Sequence, residues 1–354
     1  MFRDLRPKNI ISKDYASDNL VFVLPAAGRG SGGLADILHL GQSLQGVGRI
    51  KVWYLLSKEQ KFNEARQAIA WTCPEVKPNH VIEDLDFVPE FLCATAWMTV
   101  YRSLGLPAGK KLQFMQDDEQ AFYPAGVEKK YICNTFSFGF PTITLGPWLA
   151  NQLKNSRFAG HTDYIPFPQT ENEVQIGGNT RDVIAFYIQP EKRHRGNELL
   201  IESARMLAGL PDIKNGRFRI AFFGSNINPY ISFDFPCAIH GVLDEASLRK
   251  LMDEAVVGVS ASFSNISLIP FRFIARGARV VELNMPNVRD NIPDAVRPVF
   301  TLAEPSAHAF VDAIESCLKR ELSTDCLTEA SGVLARDNSW ESCGIMFDAF
   351  LRGL

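Results

Sequence analysis

Residues 257–284, VGVSASFSNISLIPFRFIARGARVVELN, read as a strand, a polar turn, a helix and a second strand. The apolar run 257–260 suits a buried strand, 262–267 is a Ser/Asn-rich turn, and 268–276 is helical in character. Gly277 then stands where a helix C-terminus favours a left-handed residue. Such a unit sets the start of its helix at the carboxyl edge of a parallel sheet. Free backbone N–H groups and the helix dipole make that edge receptive to anions, so phosphate-bearing ligands come first to mind. An ordinary crossover without a ligand satisfies the same pattern.

The alternation continues along the whole chain. Strands are expected at 20–24, 51–56, 111–115 and 142–145, with helices at 34–44, 58–71 and 93–104, the last ending at Gly105. Pro147 suits the first position of a further helix. Residues 74–89 are polar and proline-marked, and 166–180 (PFPQTENEVQIGGNT) reads as a linker. A second series comes after it, with strands at 183–188, 218–223, 238–241, 257–260, beyond Gly277 and at 299–302. Its helices are expected at 197–208, 245–254, 268–276 and 306–319, and 340–351 closes the chain. Strands that alternate with helices form parallel sheets. The expectation is therefore an α/β protein with two Rossmann-like, doubly wound domains facing across a cleft. The N-terminal domain covers 1–166 and the C-terminal one 181–336, with 337–354 a helix able to return to the first. A chain of 354 residues is long enough for two cores. Ligands of open α/β sheets bind at the carboxyl edge, so the chemistry should lie on loops at the strand ends.

Composition removes several classes. A net charge of -3 gives no general footprint for nucleic acid. No apolar run reaches the ~18 residues that span a bilayer, and the opening MFRDLRPKNIISKDY lacks the apolar core of a secretion signal. The seven cysteines are dispersed without CxxC or Cys/His spacing, which points to reduced thiols in the cytoplasm and to no metal site.

Four strand-end loops carry candidate chemistry. In Gly28-Arg29-Gly30-Ser31-Gly32-Gly33, glycines allow close backbone approach at the start of a helix. Gly28, Gly30 and Gly33 match the GxGxxG spacing, yet 51–58 offers no acid for a ribose, so the dinucleotide reading is incomplete and a plain tight turn stays open. Gln116-Asp117-Asp118-Glu119 is followed by Phe122-Tyr123-Pro124; acids beside aromatics suit a sugar site or a general base, or else a solvated turn. Lys192, Arg193, His194 and Arg195 gather between a strand and a helix, where the cations could neutralise a diphosphate or form a solvated basic turn. In the fourth loop, Asn265, Ser267 and the amides of Leu268 and Ile269 surround a helix start, and Ser and Asn there are also ordinary caps. Arg272 stands one turn further on, in an apolar helix where a charge needs a partner or a wet face.

Several stretches resemble the GT-B glycosyltransferases, family 4 above all. They are RGNELLIESARML (195–207), FFGS (222–225), HGVLDEASLRKLMDEAVVGVSAS (240–262), SLIPFRFIARGARVVE (267–282) and SWE (339–341). In the N-terminal half, FLCATAWMTVYRSLG (91–105) and FMQDDEQAFYPAG (114–126) resemble bacterial rhamnosyltransferases of the rhamnan and S-layer glycan type. The resemblance implies transfer of a sugar from a nucleotide diphosphate, such as dTDP-rhamnose, to a glycan or lipid-linked glycan of a bacterial surface polysaccharide. It also implies that no metal or other cofactor takes part and that the site is cytoplasmic, with peripheral contact at the inner face of the plasma membrane or with an assembly complex.

By motif position, Lys192, Arg193 and Arg195 would contact phosphates, with Gly224, Asn265, Ser267, Leu268 and Arg272 completing the donor side. Gly32 and Gly33 would approach the donor from the other domain, Asp117 would activate the acceptor, and Asp118, Glu119 and Tyr123 would bind it. The chain departs from the pattern in three places. Arg272 replaces the glutamate that usually holds the ribose, Ser264 replaces a second glutamate eight residues earlier, and Gln189 replaces a frequent arginine. An arginine cannot accept hydrogen bonds from hydroxyls. It could meet a phosphate instead, as with a CMP-linked sugar, or mark a degenerate transferase that serves as a scaffold. An NAD-dependent oxidoreductase or epimerase is a third class, supported by the glycine loop alone.

Overall fold

Short apolar runs become strands buried on both faces, which is why they carry no polar alternation. The structure, a computed structural model, describes residues 16–48, 50–156, 160–169, 181–226, 233–320 and 323–354. Most of the linker expected at 166–180, and the polar opening residues 1–15, lie outside them. Two compact units result: Met1–Pro166 with Trp340–Leu354, and Phe167–Ser339.

The first unit contains β1 (Ala16–Val23), β2 (Lys51–Leu55), β3 (Val81–Ile82), β4 (Pro89–Ala94), β5 (Lys110–Met115), β6 (Thr142–Leu145) and β7 (Thr162–Ile165). They form one sheet in the order β3-β2-β1-β4-β5-β6-β7. Every pairing is parallel. Around it lie α1 (Gly32–Gly46), α2 (Phe62–Thr72), α3 (Trp97–Leu104), α4 (Val127–Thr135) and α5 (Pro147–Lys154).

The second unit contains β8 (Val183–Tyr187), β9 (Arg219–Phe223), β10 (Ala238–Ile239), β11 (Ala255–Val259), β12 (Arg279–Leu283) and β13 (Phe300–Ala303). Its parallel sheet has the order β10-β9-β8-β11-β12-β13. Its helices are α6 (Asn197–Ala208), α7 (Pro211–Lys214), α8 (Glu245–Glu254), α9 (Ile269–Ala275), α10 (Pro286–Arg289), α11 (Ala307–Lys319) and α12 (Thr324–Asp337). The last helix, α13 (Trp340–Gly353), belongs to the first unit. In both sheets the order reverses between the first and fourth strands, β1/β4 and β8/β11, which opens a crevice at the carboxyl edge.

Aromatic side chains fill the cores. Phe22, Tyr54, Phe114 and Phe347 are fully buried in the first unit, and Phe186, Phe222, Phe271 and Phe310 in the second; each contributes about 1.5–3 kcal/mol of burial. Gly344 seats α13 on α1, because a Cβ there would strike Ser43, whose hydroxyl donates to Trp340 O at 2.5 Å. Gly277 adopts φ 77° at the end of α9, the left-handed geometry its position calls for.

The structure corrects four expectations from the sequence. Cys93 and Ala94 do not start a helix; they end β4, and α3 begins at Trp97. The run FLCATAW is one apolar block, and Pro89 opens it where a strand tolerates proline. The helix expected from 58 begins at Phe62, and β10 is two residues long. Helices α4, α7, α10 and α12 and strands β3 and β7 are additions to the expected set.

Candidate functional site

The loops after β8 and β11 meet at the switch point of the second unit. Gly196 makes this possible: it takes φ 56°, and a Cβ on it would lie 2.7 Å from Ala261 Cβ and 3.0 Å from the Phe263 ring. Asn197 fixes the β8 loop from within, accepting from Gln189 N at 2.7 Å and donating to Lys192 O at 2.9 Å. Between the loops, Phe263 N donates to His194 O at 3.0 Å. Arg195 Nη1 donates to Ser262 Oγ at 3.2 Å and to Asn265 O at 3.0 Å. The basic loop and the serine loop are therefore one construction, with Arg193 exposed and Lys192 and Arg195 half-buried.

The β11 loop rests on buried polar groups. Glu282, fully buried on β12, accepts from Ser260 Oγ at 2.5 Å, Ser262 N at 2.7 Å and Leu283 N at 2.9 Å. Asn287 Nδ2 donates to the carbonyls of Ser262 and Ser264. Asn265 Oδ1 accepts from Ile266 N at 3.1 Å and from Asn291 Nδ2 at 2.8 Å, so this fully buried side chain braces the loop. Ser264 Oγ, Ser267 Oγ and Gln189 Oε1 are buried with no hydrogen-bond partner among the described residues. Buried polar atoms are nearly always satisfied, so these three are open to an ordered water or a polar ligand.

Leu268 is the half-in residue before α9. Gly224 takes φ 111° after β9, and its carbonyl accepts from Gln189 Nε2 at 3.4 Å. Arg272 pairs with Glu245, in the first turn of α8, at 2.5 Å. Burial, then the charges of Arg195 and Lys192, push His194 down to about 3, so the imidazole is neutral in ordinary buffers.

In the first unit the glycine loop and the acidic loop also converge. Ser31 caps α1 by accepting from Leu34 N at 3.4 Å, and Gly32 opens the helix. Gly33 O accepts from Gln116 Nε2 at 3.1 Å, and a Cβ on Gly33 would come within 3.3 Å of that side chain. Asp117 Oδ1 accepts from Asp118 N at 2.8 Å, and Asp118 Oδ1 from Gln120 N at 3.1 Å, so both acids shape the turn. Glu119 instead reaches to α3, where its Oε2 accepts from Trp97 N at 2.6 Å. Burial, reinforced by the neighbouring charges of Asp117 and Asp118, raises Glu119 to about 8; burial also raises Asp118. Trp97 is ringed by Tyr101, Tyr123 and Tyr131, with ring centroids 6.2, 6.3 and 6.4 Å away. Trp97 and Tyr101 are buried in a small core with Ile132, and Tyr123 and Tyr131 pack against it.

Glu245, Ser262, Glu282 and Asn287 are site residues that the sequence alone does not single out. Only Glu282 carries a signal there, as a lone acid in the apolar strand VVELN. Among the described residues no group of three or more His, Cys, Asp or Glu is placed to hold a metal ion, and no helix is long and apolar enough to cross a membrane.

No protein-family model matches the chain and no curated protein is significantly similar in sequence. Several solved structures are similar in fold. Sucrose-phosphate synthase from Thermosynechococcus elongatus superposes with a TM-score of 0.63 at 13% identity, covering 95% of this chain and 98% of that one. HepE from Anabaena, in complex with UDP-glucose, gives 0.62 at 10% identity, covering 95% and 100%. UDP-GlcNAc 2-epimerase from Neisseria meningitidis, bound to UDP-GlcNAc, gives 0.56 at 9% identity, covering 95% and 99%. At these identities the likeness establishes the fold, which is GT-B.

Proposed function

We propose that this protein transfers a glycosyl group from a nucleotide diphosphate sugar to a glycan, with the second unit holding the donor and the first the acceptor. One observation carries the reading: the Lys192–Arg195 loop and the Ser260–Leu268 loop are bonded together at the switch point, with Ser264 and Ser267 hydroxyls left unsatisfied there. Cations and hydroxyl donors in that place match a diphosphate, whose growing negative charge on departure they stabilise. The same fold carries UDP-glucose in HepE, which supports a donor of this class.

In this reading Arg193, Lys192 and Arg195 offset the leaving diphosphate without a metal. The acidic loop of the first unit orients or deprotonates the acceptor hydroxyl through Asp117 and Glu119, while Asp118 shapes the turn and Tyr123 lends an aromatic face. The motifs suggest the finer reading: dTDP-rhamnose as donor, a bacterial surface polysaccharide or its lipid-linked precursor as acceptor, and a cytoplasmic location with peripheral contact at the membrane.

A second reading, a donor site too altered to turn over, draws on Arg272, which meets Glu245 where relatives use a glutamate for ribose. A thermal-shift panel of UDP, dTDP, GDP and CMP sugars, followed by product analysis with glycan acceptors, separates the readings. A functional site gains about 2.7 kcal/mol at a hundredfold excess over Kd and loses that gain in Arg193→Ala. Absence of stabilisation by every donor refutes the proposal. An altered sugar without an acceptor product instead indicates an epimerase.

A further inference from the structure

From Ser260 to Ile266 the β11 loop buries every side chain but one. Ser260, Ala261, Ser262, Ser264, Asn265 and Ile266 are each at most 3% exposed, whereas Phe263 is 39% exposed. The loop that displays this ring is fixed from below. Glu282 accepts from Ser260 Oγ and Ser262 N, Asn287 holds the carbonyls of Ser262 and Ser264, and Asn291 holds Asn265. Phe263 N itself donates to His194 O at 3.0 Å, inside the run of cations. The ring rests against the start of α6, where a Cβ on Gly196 would lie 3.0 Å from it, so glycine leaves the ring its place. A single apolar side chain at a surface needs no explanation in itself. This one is held by a braced loop, among the groups that would meet a diphosphate.

An aromatic face carries negative potential and does not attract phosphate oxygens; it is covered favourably by C–H groups or by another flat ring. In a nucleotide diphosphate sugar two rings join the phosphates directly, the ribose at one end and the glycosyl ring at the other. The base stands one ribose further away. A side chain tied to His194 of the cationic loop therefore adjoins a sugar rather than the base. Of the two sugars, a pyranose chair turns several axial C–H groups to one face and offers the flatter apolar surface. We propose that the Phe263 ring is the platform for the glycosyl ring of the donor and selects sugars with an unbroken C–H face. The inference rests on the donor site proposed above and adds a contact to the sugar that the cations do not make. Because the loop is braced before a ligand arrives, covering the ring costs little ordering.

Calorimetric titration of the full chain with UDP, UDP-glucose, dTDP and dTDP-glucose tests this, the free nucleotides reporting the phosphate and nucleoside contacts alone. Phe263→Ala is expected to weaken both glucose conjugates about fivefold, the worth of covering the exposed two-fifths of a phenyl ring, and to leave UDP and dTDP within about twofold of wild type. Phe263→Tyr keeps the flat face and is expected to keep the wild-type ratio between conjugate and free nucleotide. Phe263→Leu keeps apolar bulk without the face and is expected to lose that ratio, so it decides the matter should Phe263→Ala fail to fold. Equal weakening of conjugates and free nucleotides would assign the ring to the nucleoside or to loop packing and overturn the proposal. Unchanged binding of all four probes by Phe263→Ala also overturns it, and in both cases the donor site stands. Failure of wild type to bind any of the probes, or any donor of the panel, refutes both.

Discussion

Replacing Glu119 by glutamine should flatten the pH dependence of stability in the first unit. Folding raises this carboxyl from 4.5 to about 8, chiefly by burial and then by the charges of Asp117 and Asp118. Between those values the folded protein keeps a proton that the unfolded chain has lost. Stability changes with pH as the difference in protons bound, unfolded minus folded, which is negative here. The first unit is therefore most stable below about 4.5 as far as this group is concerned, and it loses stability as pH rises through about 8. The slope approaches 1.4 kcal/mol per pH unit, for a ceiling near 5 kcal/mol over the window. Glu119 is only partly buried, and solvent screening reduces the expected difference at pH 8 to about 2–3 kcal/mol.

Glutamine keeps the acceptor for Trp97 N and never ionises, so Glu119→Gln should gain on wild type steadily from pH 5 to 8. The assay is unusually clean. All five tryptophans, Trp53, Trp71, Trp97, Trp148 and Trp340, lie in the first unit, so urea unfolding followed by tryptophan fluorescence reports that unit alone. Parallel profiles for wild type and Glu119→Gln from pH 5 to 8 would refute the assignment. Glu119 would then be an ordinary ionised acid, better suited to accept hydrogen bonds from a sugar than to move a proton.

The second unit supplies three further expected outcomes. Gly196→Ala forces a side chain into left-handed backbone and against Ala261, and should cost about 1–3 kcal/mol, seen as faster hydrogen exchange across β8 and β11 together with lost donor binding. His194 is pushed from 6.5 down to about 3, so the unfolded chain gains a proton first on acidification; stability of this unit falls as pH drops from 6.5 towards 3, and His194→Gln should remove that part of the acid transition. Because Glu245 is half-exposed, a double-mutant cycle of Arg272→Ala with Glu245→Ala should give a stability coupling of about 1 kcal/mol or less; a coupling above 3 kcal/mol would show that α8 and α9 depend on this pair.

The alternation of apolar runs with helices was legible because parallel strands need no polar face; a run such as VIAFY or RIAFF leaves little else. Strand β4 was hidden for the same reason, since FLCATAW joins a strand, a turn and a helix start without a polar break. Short edge strands such as β3 and β10 owe their state to a neighbour's open ladder, which no local pattern records. At the site, the basic loop could be read because three cations in four residues stand out. Asn265 could be named but not understood: its amide bonds Ile266 N and Asn291, twenty-six positions away, and only tertiary structure brings Asn291 there.

The first six strands of each unit follow one order, and the units differ in the chemistry of the loops at their strand ends. Loops of the first collect Asp117, Asp118 and Glu119 around aromatic rings, while loops of the second collect Lys192, Arg193 and Arg195 around hydroxyls. Like charges gathered this closely shift the titration of the groups beside them. Glu119 holds a proton against its acidic neighbours, and His194 stays neutral beside its cations. Glu282, buried beneath the serine loop, accepts from the Ser260 hydroxyl and the Ser262 amide, and burial raises its carboxyl. Those bonds fix the turn whose Ser262 hydroxyl accepts from Arg195 Nη1.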